Sequence, residues 1–361
     1  MRFVVAVLAL TSLFPSWLAA QSLRPTAGLV EVARQPEVLA RFPEMRPVVE
    51  KLYHCTATDL VPSPEGRIEI PHHYLSGSSG PINPAEHAAT VVYQHFEERI
   101  AAGADQFVAR GDHREAACAL EQLDAWAKGK ALLDYDPQQS SQAWYQVEWT
   151  LAGAGTAMTT LINDPQLDPA EVRRVTAWLD RAAARNISFE RPGKDNNNHH
   201  YWRALAATSI GIVADDRTLF DFGVRAYKEA IGDVDERGAF PKEMARHENA
   251  IHYQMFALQP LVVIAQLAER QGGDLWSYSA HGRSLRDAIV FFGRAVEDPS
   301  LVKPYTSDEQ KMHFSPGDYA QFALYMRHFG KEGLPEDIVK NAERPSFNSR
   351  LGGTLLLYAL K

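Results

Sequence analysis

Apolar positions recur at helical spacing along most of the chain, and this pattern begins abruptly at Asn83. Residues 83–86 read Asn-Pro-Ala-Glu and residues 168–171 read Asp-Pro-Ala-Glu, so each stretch supplies a capping residue, a proline at the first helical position and a glutamate at the third. Little of the chain alternates as strands do. The pattern predicts helices near residues 84–109, 112–129, 139–161, 169–186, 197–214, 217–231, 245–270, 279–297, 317–329 and 335–343.

The connections between these helices are short and polar, which favours antiparallel helix hairpins. No fixed repeat period links the hairpins, as it would in a solenoid, so closure into a ring is preferred over an open array. No linker separates two domains. We therefore predict an all-α fold, an incomplete α/α toroid, formed by residues 21–361 as a single domain.

The segment before the first long helix is broken up by prolines. Residues 22–82 hold eight of them, which limits regular structure to short helices and loops. Within this segment, residues 64–82 form a polar loop that carries Arg67, His73 and Tyr74 and is long enough to cover a cleft. Its pattern alone is that of an ordinary surface loop.

The first twenty residues have the features of a secretory signal. Arg2 precedes an apolar run over residues 3–14, and small residues end at Ala20. We predict that residues 1–20 are a signal peptide and that the mature protein is periplasmic. No later stretch reaches the ~18 consecutive apolar residues of a membrane span, so we expect a soluble monomer that does not insert into membranes.

Cysteine content and net charge narrow the chemistry. Cys55 and Cys118 belong to a chain predicted to be exported, where thiols tend to be oxidised, which favours a disulfide over two buried free thiols. The formal net charge of -8 argues against nucleic acid as a partner. An anionic ligand would need a local positive patch, for which Arg246, Arg344 and Arg350 are candidates.

Two polar stretches form a candidate site. Residues 195–202 read Asp-Asn-Asn-Asn-His-His-Tyr-Trp and run into an alanine-rich helix, so Asn198, His199 and Trp202 emerge from its first turns near free N–H groups. This combination suits an acidic sugar, although a capping cluster packed into the core would look the same. If residues 246–258 are helical, Arg246 and Tyr253 lie on one face about 10 Å apart, with room for a uronate ring between them.

Together these stretches resemble polysaccharide lyase family five, the alginate lyases. The family's Asn-Asn-His-x-Tyr-Trp signature is matched at residues 197–202, and its Arg followed seven residues later by a Tyr is matched by Arg246 and Tyr253. A weaker likeness covers the tail at residues 344–353. His252 and residues 73–78 depart from the alginate lyase pattern, and the chain is most similar to members that also accept glucuronate polymers.

The resemblance implies the same toroid, a mobile lid near residues 64–82, no cofactor, and cleavage of 1,4-linked uronate polymers, mannuronan above all, with glucuronan and hyaluronan as further substrates. Syn elimination removes the C5 proton beside a carboxylate and expels the C4 oxygen. Asn198 and Arg246 would neutralise that carboxylate. Tyr253, its pKa lowered by Arg246, would act as base and then acid, while His199 would orient the carboxylate or share the proton transfer.

Further residues are expected to bind the polymer. Trp149 and Trp202 are candidates for stacking against sugar rings. His252 is expected to border the ring being cut and to gain its charge near pH 6.5 if unperturbed. The remaining candidates for substrate binding are Arg67, His73, Tyr74 and Arg344.

Two other functions would use a similar groove. A glycoside hydrolase needs two carboxylates about 5 to 9.5 Å apart, for which Asp195 and Glu248 are conceivable. A non-catalytic periplasmic polysaccharide-binding protein needs neither carboxylates nor elimination chemistry. A metal is not expected, because His247 and His252 lack the four-residue spacing of paired ligands and no Cys-x-x-Cys or His-Glu-x-x-His motif occurs.

Overall fold

The computed structural model describes residues 22–57, 59–76, 79–191 and 196–361. The predicted signal peptide, Asp195 and two residues of the predicted lid, 77 and 78, lie outside this part of the chain. The helices are α1 Gln35–Ala40, α2 Arg46–Glu50, α3 Pro84–Arg110, α4 His113–Lys128, α5 Ser141–Leu161, α6 Pro169–Ser188, α7 Asn198–Ala214, α8 Arg217–Gly232, α9 Pro241–Met244, α10 Ala250–Arg270, α11 Leu285–Glu297, α12 Gln321–Phe329, α13 Glu336–Ala342 and α14 Leu355–Ala359. Two short antiparallel hairpins pair β1 Tyr74–Ser76 with β2 Ser79–Ile82 and β3 Ser279–Ala280 with β4 Arg283–Ser284.

The long helices are arranged in two layers. Helices α3, α5, α7 and α10 contact one another in that order, while α4, α8 and α11 pack on the outside of α3, α7 and α10, and α6 lies against α4, α5 and α7. Nearly all of α5, α7 and α10 is buried, whereas α6 and α8 bury only one stripe. This arrangement is the predicted incomplete α/α toroid.

Small residues allow the inner helices to approach closely. A Cβ at Gly155 of α5 would fall 2.4 Å from Ser209 Oγ of α7, so this crossing has room only for glycine. The C-terminal 3-10 helix Ser349–Leu351 packs against α5 and α3 and brings the tail back to the inner layer. Residues distant in sequence thereby meet at one end of the ring.

Most predicted helix starts are confirmed. The side chains of Asn83 and Asp168 accept hydrogen bonds from the backbone N–H groups of residues 85 and 170. The helix predicted from residue 279 begins instead at Leu285, after the β3–β4 hairpin, because Ser284 and Asp287 form a capping box there. The helix predicted from residue 245 begins at Ala250.

The proline-rich segment is fastened to the toroid by the predicted disulfide. Cys55 and Cys118 are bonded, with their Cα atoms 5.9 Å apart, and so join the 3-10 helix Cys55–Ala57 to α4. Glu115 of α4 also accepts a 2.6 Å hydrogen bond from the backbone N–H of Cys55. Among the described residues, the stretch His247–Arg270 is long and apolar enough to cross a membrane, but it is mostly buried within the fold.

Candidate active site

Helix α7 begins at the predicted polar stretch. Asn197 caps it by accepting a hydrogen bond from the backbone N–H of His199, 2.9 Å away. Asn198 is buried, and its backbone N–H and its side-chain amide donate to the two carboxylate oxygens of Glu243, at 2.6 and 2.9 Å. Burial raises the pKa of Glu243, while Arg246 and the bonds from Asn198 oppose that rise. The first turn of α7 is therefore oriented by α9.

His199 is held by a second buried carboxylate. Its Nδ1 lies 2.6 Å from Glu148 Oε1, and its ring stacks on Tyr145 with centroids 3.6 Å apart. Burial raises the pKa of Glu148 well above its usual range, although Arg203, which donates to Glu148 Oε2 at 2.6 Å, opposes that rise. Because Glu148 engages Nδ1, proton transfer at this histidine is directed to Nε2.

The charged contacts continue behind His199. Arg203 Nε lies 2.5 Å from Glu190 Oε1, which also lies 2.7 Å from His200 Nδ1. His200 Nε2 is 3.0 Å from Glu229, whose side chain is half-exposed. Basic and acidic side chains thus alternate from the wall of the site to the outer surface of α8, and the buried Arg203 has a carboxylate partner on each side.

Arg246 and Tyr253 meet directly. The Arg246 Cζ atom lies 4.8 Å from the centre of the Tyr253 ring, and its Nε lies 3.7 Å from Glu243. The prediction of one continuous helix from Arg246 to Tyr253 is wrong, while the predicted position of a uronate ring between the two side chains stays a prediction. His247 adopts a left-handed backbone (φ 53°) and residues 247–249 form a 3-10 turn, which folds the arginine over the phenol.

Tyr253 is a proton donor in this state. Burial raises its pKa, contact with Tyr74 raises it further, and Arg246 opposes the rise without overcoming it. Arg246 does lower this pKa, as predicted, but the predicted net lowering is wrong for the substrate-free protein, because the loss of hydration around the phenol outweighs one cation. Tyr74 belongs to β1, so the predicted lid loop reaches Tyr253.

Aromatic rings and one arginine form the adjoining cleft. Phe256 lies between Trp149 and Trp202, with ring centres 6.1 and 5.1 Å away, and 6.3 Å from Tyr253. Arg350 places its Cζ 4.3 Å from the centre of the Trp149 ring. A cavity of about 290 Å³ opens here, and we call it the catalytic cleft; its lining includes Glu97, Trp202, Phe256, Asn348 and Arg350.

The indole of Trp202 differs from the expected exposed platform. It is fully buried (0% exposed) and packs against Phe256, so it offers no open face to a sugar. Trp149 is half-buried and already stacks with Arg350. Arg350 is in turn held 3.6 Å from the buried Glu97, which accepts a 2.6 Å hydrogen bond from Thr150.

Of the predicted binding residues in the lid segment, His73 lies beside Tyr74, whereas Arg67 lies on the surface away from Tyr253. His73 contacts Tyr74 and lies 3.4 Å from Glu86. Arg67 is occupied by Asp134 and Gln139 on the surface, which keeps its guanidinium from the catalytic residues.

Two more predicted binding residues differ from expectation. Arg344 follows α13, is exposed, and does not line the catalytic cleft. The tail arginine that reaches the cleft is Arg350. His252 is half-buried between the parallel rings of Phe256 and Phe314. Burial lowers its pKa below the unperturbed value that was expected, while Asp318 opposes the shift.

Two buried glutamates were missed by the sequence reasoning. Glu148 is the one charged residue between Ser141 and Leu161, in a helix that is otherwise apolar or neutral, and this isolation was the available signal. Glu243 gave no comparable signal, because its polar neighbours Lys242 and Arg246 resemble an ordinary surface turn.

The hydrolase alternative finds no support in this geometry. Glu248 pairs with Lys311 at 3.2 Å, and local hydrogen bonds lower its pKa, whereas a general acid needs a raised one. Its conceivable partner, Asp195, is outside the described residues. Within those residues there is no grouping of three His, Cys, Asp or Glu side chains suited to a metal ion.

The toroid places a buried amide, a carboxylate-held imidazole, a guanidinium and a phenol beside the catalytic cleft, and this set of groups suits an enzyme that acts on acidic polysaccharides. Residues 46–302 match the family model described as alginate lyase. A polysaccharide lyase of Stenotrophomonas maltophilia is 30% identical over 293 residues, which cover 80% of this chain and 86% of that protein.

Solved structures give the same relationship. The chain is similar to alginate lyase A1-III from Sphingomonas species A1, with a TM-score of 0.84, 37% identity, and coverage of 96% of this chain and 99% of that one. A Tyr-to-Phe variant of A1-III complexed with a tetrasaccharide matches over the same shares of both chains, with a TM-score of 0.88 and 37% identity. The chain belongs to the alginate lyase family and is a polysaccharide lyase.

Proposed function

We propose that the protein cleaves alginate at mannuronate residues by syn β-elimination, leaving a 4,5-unsaturated uronate at the new non-reducing end. The observation that carries this proposal is the convergence of Asn198, Arg246 and Tyr253 around the buried Glu243. Asn198 and Arg246 supply the two donors that a uronate carboxylate needs while charge develops at C5, and one well-aimed donor is typically worth ~3 kcal/mol.

The raised pKa of Tyr253 gives the two proton transfers an order. The phenol enters the reaction protonated and must lose this proton before it acts as a base, so the proton that it later donates to the departing C4 oxygen is the one taken from C5. For Tyr253 to take the C5 proton first, its own proton must leave when the substrate displaces Tyr74. We assign His199 as the imidazole that receives it at Nε2, with Glu148 stabilising the resulting imidazolium.

The proposal extends to glucuronate polymers, including hyaluronan. Mannuronate and glucuronate share their configuration at C4 and C5, so the same syn elimination serves both, and only contacts near C2 separate them. Guluronate is excluded, because its C5 epimer demands anti elimination. His252 and the hairpin that carries His73 and Tyr74 are the proposed source of this broadened specificity.

We also propose that the protein is exported to the periplasm with removal of residues 1–20 and acts as a monomer. The charge and apolar pattern at the N-terminus supports export. Mass spectrometry of the protein purified from the native host should find a chain that begins at residue 21. A chain with residues 1–20 intact would contradict this part of the proposal.

The decisive experiment compares Tyr253→Phe with wild type on mannuronan, guluronan, glucuronan and hyaluronan. Wild type should produce the absorbance of the unsaturated product from mannuronan and glucuronate polymers but not from guluronan. The variant keeps the ring and loses only the hydroxyl, so it should bind the polymer with almost no turnover. New reducing ends without that absorbance would indicate a hydrolase, and binding without scission a binding protein.

A further inference from the structure

A second cavity adjoins the catalytic cleft. It has a volume of about 1070 Å³, and we call it the distal cavity. Four residues line both spaces, namely Glu98, Ser315, Gly317 and Phe347. The cavities are therefore neighbours with one common wall.

Helix α3 connects the two spaces. Gln94 and Glu97 face the catalytic cleft, Glu98 faces both, and His95 and Ala102 face the distal cavity. At 1.5 Å per residue, the five positions from Glu97 to Ala102 advance about 7.5 Å along the helix. The two groups of α3 residues therefore lie within about one and a half helical turns of each other along the shared wall.

The distal cavity presents an aromatic platform. Tyr53 is 67% exposed, the largest value among the exposed large apolar side chains of the described residues. Its ring is held edge-on to Phe347, with centres 5.2 Å apart. A fixed, solvent-facing aromatic ring inside a concavity is what the apolar face of a pyranose ring packs against.

Charges of both signs surround this platform. Lys51 and His95 are exposed on the lining, as are Asp59 and Glu98. The ammonium group of a lysine such as Lys51 binds carboxylates, and carboxylates accept hydrogen bonds from sugar hydroxyls. A uronate oligomer carries both groups on every ring, whereas a purely apolar ligand would leave these charges desolvated and unpaired.

We propose that the distal cavity is an additional substrate subsite, in which Tyr53 stacks on a uronate ring and Lys51 binds its carboxylate. This inference rests on the proposed lyase function. It makes catalytic efficiency depend on chain length, because only oligomers long enough to extend past Phe347 gain the extra contact. The volume is at the upper end of what single small-molecule sites occupy, so more than one sugar ring fits.

The test measures kcat/KM on purified oligouronates from trimers to octamers. For wild type, the octamer-to-trimer ratio should exceed that of Tyr53→Ala by about two- to tenfold, the effect of losing one aromatic contact. Tyr53→Phe should keep the ratio. Lys51→Ala should lower it, whereas Lys303→Ala, at an exposed lysine outside both cavities, should not.

Calorimetric titration of oligomers into Tyr253→Phe, with and without Tyr53→Ala, should show the same loss in affinity for the octamer. An unchanged octamer-to-trimer ratio in Tyr53→Ala, with wild-type cleavage intact, would overturn the distal subsite and leave the lyase proposal standing. Failure of wild type to cleave any uronate polymer would instead overturn the proposed function itself.

Discussion

Substitution of the buried Glu243 tests whether the position of Asn198 matters for catalysis, because Glu243 holds this side chain. Its two oxygens accept from two donors of Asn198, at 2.6 and 2.9 Å. In Glu243→Gln, the amide oxygen keeps one of these bonds, and the amide NH₂ faces the other donor. One charge-assisted hydrogen bond, worth about 1.5–3 kcal/mol, is therefore lost, and Asn198 must rotate away from its position.

We expect this rotation to weaken mainly the binding of the transition state, in which Asn198 is proposed to stabilise the developing charge. A loss of about 3 kcal/mol lowers kcat/KM roughly a hundredfold, with most of the change in kcat. Thermal stability should change little, because removal of a buried charge offsets the lost bond. Glu248→Gln is the matched control, since it makes the same chemical change five residues away on a glutamate paired with Lys311.

The pH profile adds a second readout. Because burial raises the pKa of Glu243, its carboxyl gains a proton at a higher pH than an ordinary glutamate, near 4.3, would. A protonated carboxyl cannot accept from both donors, so activity should fall as pH decreases through that raised pKa, and Glu243→Gln should flatten this limb. Near-wild-type kcat in Glu243→Gln, or equal losses in it and Glu248→Gln, would refute the reasoning.

Three further predictions concern stability and specificity. Reduction of the Cys55–Cys118 disulfide, or replacement of both cysteines by serine, should lower the free energy of unfolding by about 4 kcal/mol, because the bond closes a loop between residues 63 positions apart. Two free thiols in the oxidised, unfolded protein would contradict this. Burial raises the pKa of Asp105 to about 7, so above pH ~4 the folded state holds a proton that the unfolded state has lost. The free energy of unfolding should therefore fall by about 4 kcal/mol as the pH rises from about 4 to about 7. Denaturant titrations of Asp105→Asn should show a smaller fall, and an identical fall would count against this assignment. His252→Leu should change the ratio of glucuronan to mannuronan activity more than it lowers the activity on the preferred polymer. Because burial lowers the pKa of His252, any shift in wild type toward glucuronan should appear only at a pH below the usual histidine pKa near 6.5. An unchanged ratio would make His252 a packing residue.

The outer features of the fold could be predicted because they are local. Capping residues such as Asn83 and Asp168 determine where helices begin whatever surrounds them. The proposed catalytic set could be selected for a similar reason, since Asn198 and His199 are adjacent and Arg246 and Tyr253 are only seven residues apart. Their types and order were sufficient to select the family.

What could not be predicted depends on burial and on contacts between distant segments. The left-handed backbone of His247 interrupts the expected continuous helix just after Arg246, and no spacing in the sequence indicates it. The sign of the shift at Tyr253 follows from desolvation, which no spacing reports. Arg350 reaches the cleft through the return of the C-terminal tail, about 150 residues after His199, and only the tertiary fold reveals that meeting.

The run of charges behind His199 limits how this enzyme can be redesigned. Replacing Arg203 would remove the guanidinium partner of both the buried Glu148 and Glu190, at a typical cost of 3–5 kcal/mol, so a random library should recover few substitutions at this position. On the α3 side the buried pair of Glu97 and Arg350 is constrained in the same way, whereas His95 and Glu98 of α3 are exposed and can change more freely. Directed evolution toward new polymers should therefore accumulate its successful substitutions on the α3 side, while the wall behind the histidine stays as it is.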